Sequence, residues 1–198
     1  MQQIFHTPAS PEEYWQLGKE FAFPDPPEAC PFCRTGLPLK KHGFYRRNSI
    51  PGELPRRILI RRYRCCFCGH TVSFLPSFCL PYFQYALELI YQALEYVLLK
   101  SFPLRRCLAL FRELFKELYW EPAHLRFYLR RFLAVLPRLK LVLRQMFPEI
   151  NLPGEEDKRQ EAAKMLGVLA GLGDIQSFSA RFYATCGHCF FSPLRRLV

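Results

Sequence analysis

Three C-x-x-C pairs occur among the nine cysteines of this chain, and two of them, Cys30-Pro31-Phe32-Cys33 and Cys65-Cys66-Phe67-Cys68, are separated by a stretch long enough for a β-hairpin. Each pair can close a tight knuckle that aims two thiolates at one ion, and two knuckles complete a tetrahedral four-sulfur site. Such a site is closed, hence structural rather than catalytic. Gly69 follows Cys68 where a knuckle needs positive φ. Cys33 is followed by Arg34 and Thr35, so the first knuckle reads as the less ideal one. Cys66 lacks the spacing: with Cys68 it makes only C-x-C, and strand alternation turns it away from Cys65. Burial of the four as small hydrophobes is the bland alternative, and the doubled spacing argues against it. The predicted ligands are therefore Cys30, Cys33, Cys65 and Cys68. Iron takes the same ligands, but a basic surface suits an acid-seeking module better than an electron carrier, which favours Zn2+.

Around these cysteines the charge is one-sided. Arg34, Lys40, Lys41, Arg46, Arg47, Arg56, Arg57, Arg61, Arg62 and Arg64 stand against the single acid Glu53, within a chain of formal net charge +11. A second basic block, ten cations against Glu113, Glu117 and Glu121, runs between Ser101 and Arg144, while the N-terminal segment and the stretch from Glu149 to Asp174 carry mostly acids. Concentrated positive charge calls for an anionic partner. Aromatics lie among the cations, as in "HGFYRR" and "RRYRC". Candidate nucleic-acid contacts are Lys40, Lys41, His42, Tyr45, Arg46, Arg47, Arg57, Arg61, Arg62 and Arg64.

The elements that must position these groups divide the chain into four regions. Residues 1–29 hold a short helix, capped at Ser10 with Pro11 at its first position, and a stiff "FPDPPEA" linker. Residues 30–80 contain two candidate strands, "LKKHGFYRR" and "RRILIRRYRC", joined by the loop "NSIPGELP". Together they form a small zinc ribbon built on a β-hairpin. Residues 81–147 show helical apolar spacing in "PYFQYALELIYQALEYVLLK", "SFPLRRCLALFRELFKELY" and "EPAHLRFYLRRFLAVL", with a break or kink expected at Pro137. Residues 148–198 begin as a polar loop and continue as a helical tail from about Lys158 to Leu172. The expected fold class is α+β, a ribbon followed by a mainly helical domain.

Part of that domain reads as helix-turn-helix. Ser101 would cap a helix with Leu104, Leu108, Phe111, Leu114 and Phe115 on its apolar side. A turn near "LYWE" would lead to Pro122 at the start of a second helix. Leu125, Leu129, Phe132 and Leu133 would anchor it, leaving Arg126, Arg130 and Arg131 to meet phosphates or base edges. An amphipathic bundle helix with a solvated basic face is the competing reading, and the turn carries no glycine.

Other features point away from membranes and catalysis. No stretch is long and apolar enough for a membrane span, and the start has no secretory pattern, so a cytoplasmic, nucleoid-associated location is expected. Three aspartates, Asp25, Asp157 and Asp174, are too few and too scattered for a two-metal carboxylate site, so no enzyme is expected. Cys79 and Cys107 sit in apolar contexts as core residues. Cys186-Gly187-His188-Cys189 is a knuckle without a second, and structural packing is its simplest reading.

The run "ACPFC…LKKHGFYRR…IRRYRCCFCGHTVSFLPSFCLPYFQY" resembles a family of bacterial zinc-ribbon proteins of unknown function. It is also similar to the N-terminal zinc ribbons of insertion-sequence transposases. Cys30, Cys33, His42, Gly43, Tyr45, Arg46, Arg62, Cys65, Cys68, Gly69, Thr71, Pro76, Pro81 and Tyr82 carry the resemblance, over about residues 28–90. It implies a metal-bound ribbon followed by helix-turn-helix, recognising DNA for a mobile element. The chain ends before any catalytic domain, which implies an accessory or regulatory role. The expected partner is nucleic acid, duplex DNA before RNA, with a homodimer or a mobile-element protein compatible. Alternatives are a ribonucleoprotein module or a protein-interaction scaffold with structural zinc.

Overall fold

The computed structural model describes residues 1–52 and 56–191. Its strands are β1 (Gln2–Phe5), β2 (Leu39–Ser49), β3 (Arg56–Cys65) and β4 (Thr71–Pro76). Its helices are α1 (Pro11–Leu17), α2 (Leu87–Leu98), α3 (Leu104–Leu114), α4 (Pro122–Met146), α5 (Lys158–Gly171) and α6 (Ile175–Cys186), and a single 3-10 turn, Gly18–Glu20, follows α1. The fold is α+β. Part of the loop between β2 and β3, and the end of the C-terminal tail, lie outside the described residues.

The two predicted strands pair antiparallel as β2 and β3, but they are the outer half of a four-stranded sheet ordered β1-β4-β3-β2. Residues 71–76, outside the two predicted strands, supply β4, and the N-terminus supplies β1, parallel to β4. Gly43, with φ of 74°, lets β2 bulge: His42 and Gly43 together oppose Arg62 between the pairs Lys41–Tyr63 and Phe44–Arg61. Along β3 the buried side changes partway. Ile58 and Ile60 are buried on one face, Tyr63 and Cys65 on the other, which explains why the strand's alternation is incomplete. Ile58 and Ile60 join Tyr14, Leu75 and Phe78 in one core; Tyr63 and Cys65 join Cys30, Leu39, Val72 and Phe74 in another.

Helix α1 starts where its capping signals place it. Ser10 Oγ accepts from the Glu13 N–H, Glu13 accepts from the Ser10 N–H, and Pro11 occupies the first turn. The ion pair Arg56–Glu12 at 3.2 Å and the stacking of Arg56 over Trp15 at 4.3 Å fasten α1 to the start of β3.

The helical region forms one core with Ile4 of the sheet. Several expectations need correction there. Helix α2 begins at Leu87, because the chain before it turns at Tyr82, left-handed with φ of 69°, and runs extended at Ala86, with Leu87 N–H donating to the Phe78 carbonyl. Ser101 is no cap: its φ is 54°, and α3 begins after Pro103. Leu114 lies exposed, since α3 is buried through Cys107, Leu108 and Phe111. Pro137 does not end the helix. It sits on the exposed stripe of α4 with Arg126, Arg130, Ala134 and Leu141, where water can solvate the carbonyl its ring leaves unpaired. Residues 115–121 join α3 to α4, a longer link than the three or four residues usual in a helix-turn-helix.

Sheet and helices are tied together by backbone and side chain. Ile50 bridges Tyr85, Tyr183 Oη donates to the Gln2 carbonyl, and Arg47 donates to the carbonyls of Leu80 and Phe83. Gly52, at φ of 125°, lies against the Phe115 ring, and a Cβ there would come within 2.7 Å of it.

Candidate metal centre

The two knuckles are built alike. In the first, Cys30 N–H donates to the Thr35 carbonyl and Arg34 N–H to the Cys30 carbonyl; in the second, Cys65 N–H donates to the His70 carbonyl and Gly69 N–H to the Cys65 carbonyl. The residue after each second cysteine is left-handed, Arg34 at 56° and Gly69 at 74°. The first knuckle therefore reaches the same shape as the second, and Arg34 carries about 1–2 kcal/mol of conformational strain for it. Each knuckle also has phenylalanine in its third position, Phe32 and Phe67.

The sheet brings the knuckles together. One precedes β2, and the other joins β3 to β4. The pairing of Leu39 with Cys65 sets their register. All four sulfurs lie within 4.8 Å of one another, close enough to share one metal ion. Cys30 Sγ is 3.6 Å from Cys68 Sγ, and Cys33 Sγ is 3.7 Å from Cys65 Sγ. Sulfurs 2.3 Å from a central zinc stand about 3.8 Å apart at the corners of a tetrahedron, so the spacing fits that ion. Cys66 is exposed and outside the cluster.

Backbone and crowding polarise the thiols. The N–H of Cys33 and then that of Phe32 point at the Cys30 sulfur and, against the effect of burial, hold its thiol down to about 6. At Cys68 the His70 N–H favours the thiolate, yet burial and the neighbouring sulfurs of Cys33, Cys30 and Cys65 together push the thiol up to about 12. One negative charge is welcome in the cluster and further ones repel, which is the condition a dication relieves.

A groove of about 660 Å³ opens beside the second knuckle, lined by Lys40, Lys41 and His42 of β2, Arg64 of β3, and residues 65–69. The bulge at Gly43 turns this end of β2, and Arg64 Nε donates to the Gly69 carbonyl at 3.3 Å, which joins the cation to the knuckle. Among the described residues the ion pairs are Arg56–Glu12, Lys140–Glu161 and Lys164–Glu155, so no described acid pairs with Lys40, Lys41 or Arg64.

The other candidate contacts are not all in one place. Arg46 and Arg57 are exposed, and Arg61 shares their face of the hairpin, lying over Phe44 at 4.7 Å and Tyr63 at 5.4 Å. Tyr45, Arg47 and Arg62 belong to the opposite face and are engaged within the protein. Tyr45 Oη accepts from Gln2 at 3.2 Å, Arg62 lies over the Tyr45 ring at 5.8 Å, and Arg47 holds the carbonyls of Leu80 and Phe83. Arg126 and Arg130 are exposed on α4, whereas Arg131 is half-buried over Phe127 at 5.1 Å. His42 and His70 are exposed; Cys79, Cys107 and Cys189 are buried, and Cys186 is half-buried. The residues that sequence reasoning passed over are Phe32 and Phe67, although the repeated C-x-F-C was the signal that could have singled them out.

No curated protein and no solved structure matches this chain. Residues 30–106, from the first knuckle to the start of α3, match the model of a family described as a domain of unknown function, DUF6431.

Proposed function

We propose that this chain is a zinc-dependent DNA-binding protein serving a mobile element in an accessory or regulatory capacity. The observation that carries the proposal is the groove of Lys40, Lys41, His42 and Arg64 against the four-cysteine cluster, whose cations have no acidic partner among the described residues. Zinc held by Cys30, Cys33, Cys65 and Cys68 would supply a rigid cross-link, with no open position for chemistry. The ribbon's buried cluster is small, so that cross-link is what keeps the cations in register. Arg46 and Arg57 extend the positive surface along the hairpin, and Arg126 and Arg130 offer a second contact on α4. The mobile-element role rests on the resemblance of the ribbon to those of insertion-sequence transposases.

The test couples metal analysis to salt-dependent binding of duplex DNA. One zinc per chain is expected. With about six phosphates neutralised, log affinity falls with log salt at a slope of roughly −5. Binding that ignores salt, or a folded chain free of metal, overturns the proposal.

A further inference from the structure

The matched knuckles place two phenylalanines in equivalent positions with different surroundings. Phe32 is covered on one side: the His70 ring stacks on it at 4.3 Å between centroids and 22° between planes. Phe67 is 73% exposed, lines the basic groove, and among the described residues has no ring upon it. The first knuckle thus displays what the second leaves open: a flat phenylalanine face beside a metal knot, sized for a planar polar ring. The aromatics that sequence alone set among arginines are not open in this way. Arg61 covers Phe44 and the buried Tyr63, and Arg62 covers Tyr45.

We infer that the Phe67 face is a stacking site for an unpaired nucleobase, with the phosphates on either side of that base held by Lys40, Lys41 and Arg64. The inference rests on the nucleic-acid reading and narrows it to strands with accessible bases. A base inside a duplex hides its face against its neighbours, whereas an unpaired base offers it. Charge complementarity selects a polyanion over an apolar peptide, because three cations line the same groove as the ring. The ring is carried on a four-residue turn whose ends would both be ligated to metal, so little conformational freedom is lost on binding.

The test uses the zinc-loaded full chain and fluorescence anisotropy with three probes: a short single strand, an abasic strand of the same length and charge, and a blunt duplex. Single strands of DNA and of RNA form separate arms, since stacking serves either sugar. Base-bearing strands should bind roughly tenfold more tightly than the abasic strand. Phe67→Ala should remove that difference and Phe67→Trp should retain it, with zinc content confirming that each variant is intact. Equal affinity for base-bearing and abasic strands, or an undiminished difference in Phe67→Ala, overturns the inference while salt-dependent duplex binding upholds the broader reading. Failure of all three probes to bind overturns both.

Discussion

Gly69→Ala, set against Arg34→Gly, tests whether the two knuckles are equivalent. A Cβ at Gly69 would meet nothing closer than Arg64 Nη2 at 3.6 Å, an ordinary contact, so its cost is conformational alone. The left-handed backbone costs an alanine about 1–2 kcal/mol, and the stiffer unfolded chain returns roughly 0.5–1 kcal/mol. A net loss of about 1 kcal/mol remains. Because the proposed zinc ion would tie both knuckles together, the loss should appear as zinc affinity weakened about fivefold. Arg34 holds the same conformation, with φ of 56°, so Arg34→Gly should tighten zinc binding by a similar factor. The double variant should return close to the parent, since the strain has only moved from one knuckle to the other. Competition with a chromophoric zinc chelator reads all three. Should Gly69→Ala bind zinc as tightly as the parent, or both single variants shift it the same way, the equivalence is refuted.

Three further outcomes are expected. Cys66→Ser should keep one metal per chain, whereas Cys68→Ser or Cys30→Ser should release it and unfold residues 30–80, as read by metal analysis and circular dichroism. Gly52→Ala should lower stability by about 3 kcal/mol, since its Cβ would strike the Phe115 ring at 2.7 Å and its φ of 125° suits glycine alone; a loss under about 1 kcal/mol in thermal unfolding would contradict that contact. Arg47→Met leaves the carbonyls of Leu80 and Phe83 without their donor, so stability should drop by about 2–3 kcal/mol. The salt slope of nucleic-acid binding should stay at the parent value, and a shallower slope would return Arg47 to the binding surface.

Local signals in the sequence reached the four-cysteine cluster and the ends of several elements. The C-x-x-C spacing is a property of four consecutive residues, so it picks out the clustered cysteines wherever the knuckles lie. The Ser10–Pro11 cap and the Pro122 start of α4 are equally local, and both stand where their residues predict. Boundaries set by distant partners were not legible. Ser101 has a capping side chain, yet its exposed, left-handed backbone closes the end of α2, with Phe102 N–H donating to the Tyr96 carbonyl. Pro137 is a helix breaker by its own chemistry, but the stripe it occupies faces water.

Residue types and their spacing set the chemistry on offer: four thiols in knuckles, a positive field, and helices with apolar faces. Tertiary structure decided which groups are free to use it. The change of buried face along β3 and the pairing of β1 with β4 are long-range events, and they turn Arg47, Arg62 and Tyr45 inward while leaving Lys40, Lys41, Arg64 and Phe67 around one groove. A residue's type sets what it can bind. Only the burial of its strand's two faces, which no short stretch encodes, sets whether it meets solvent or the protein's own carbonyls.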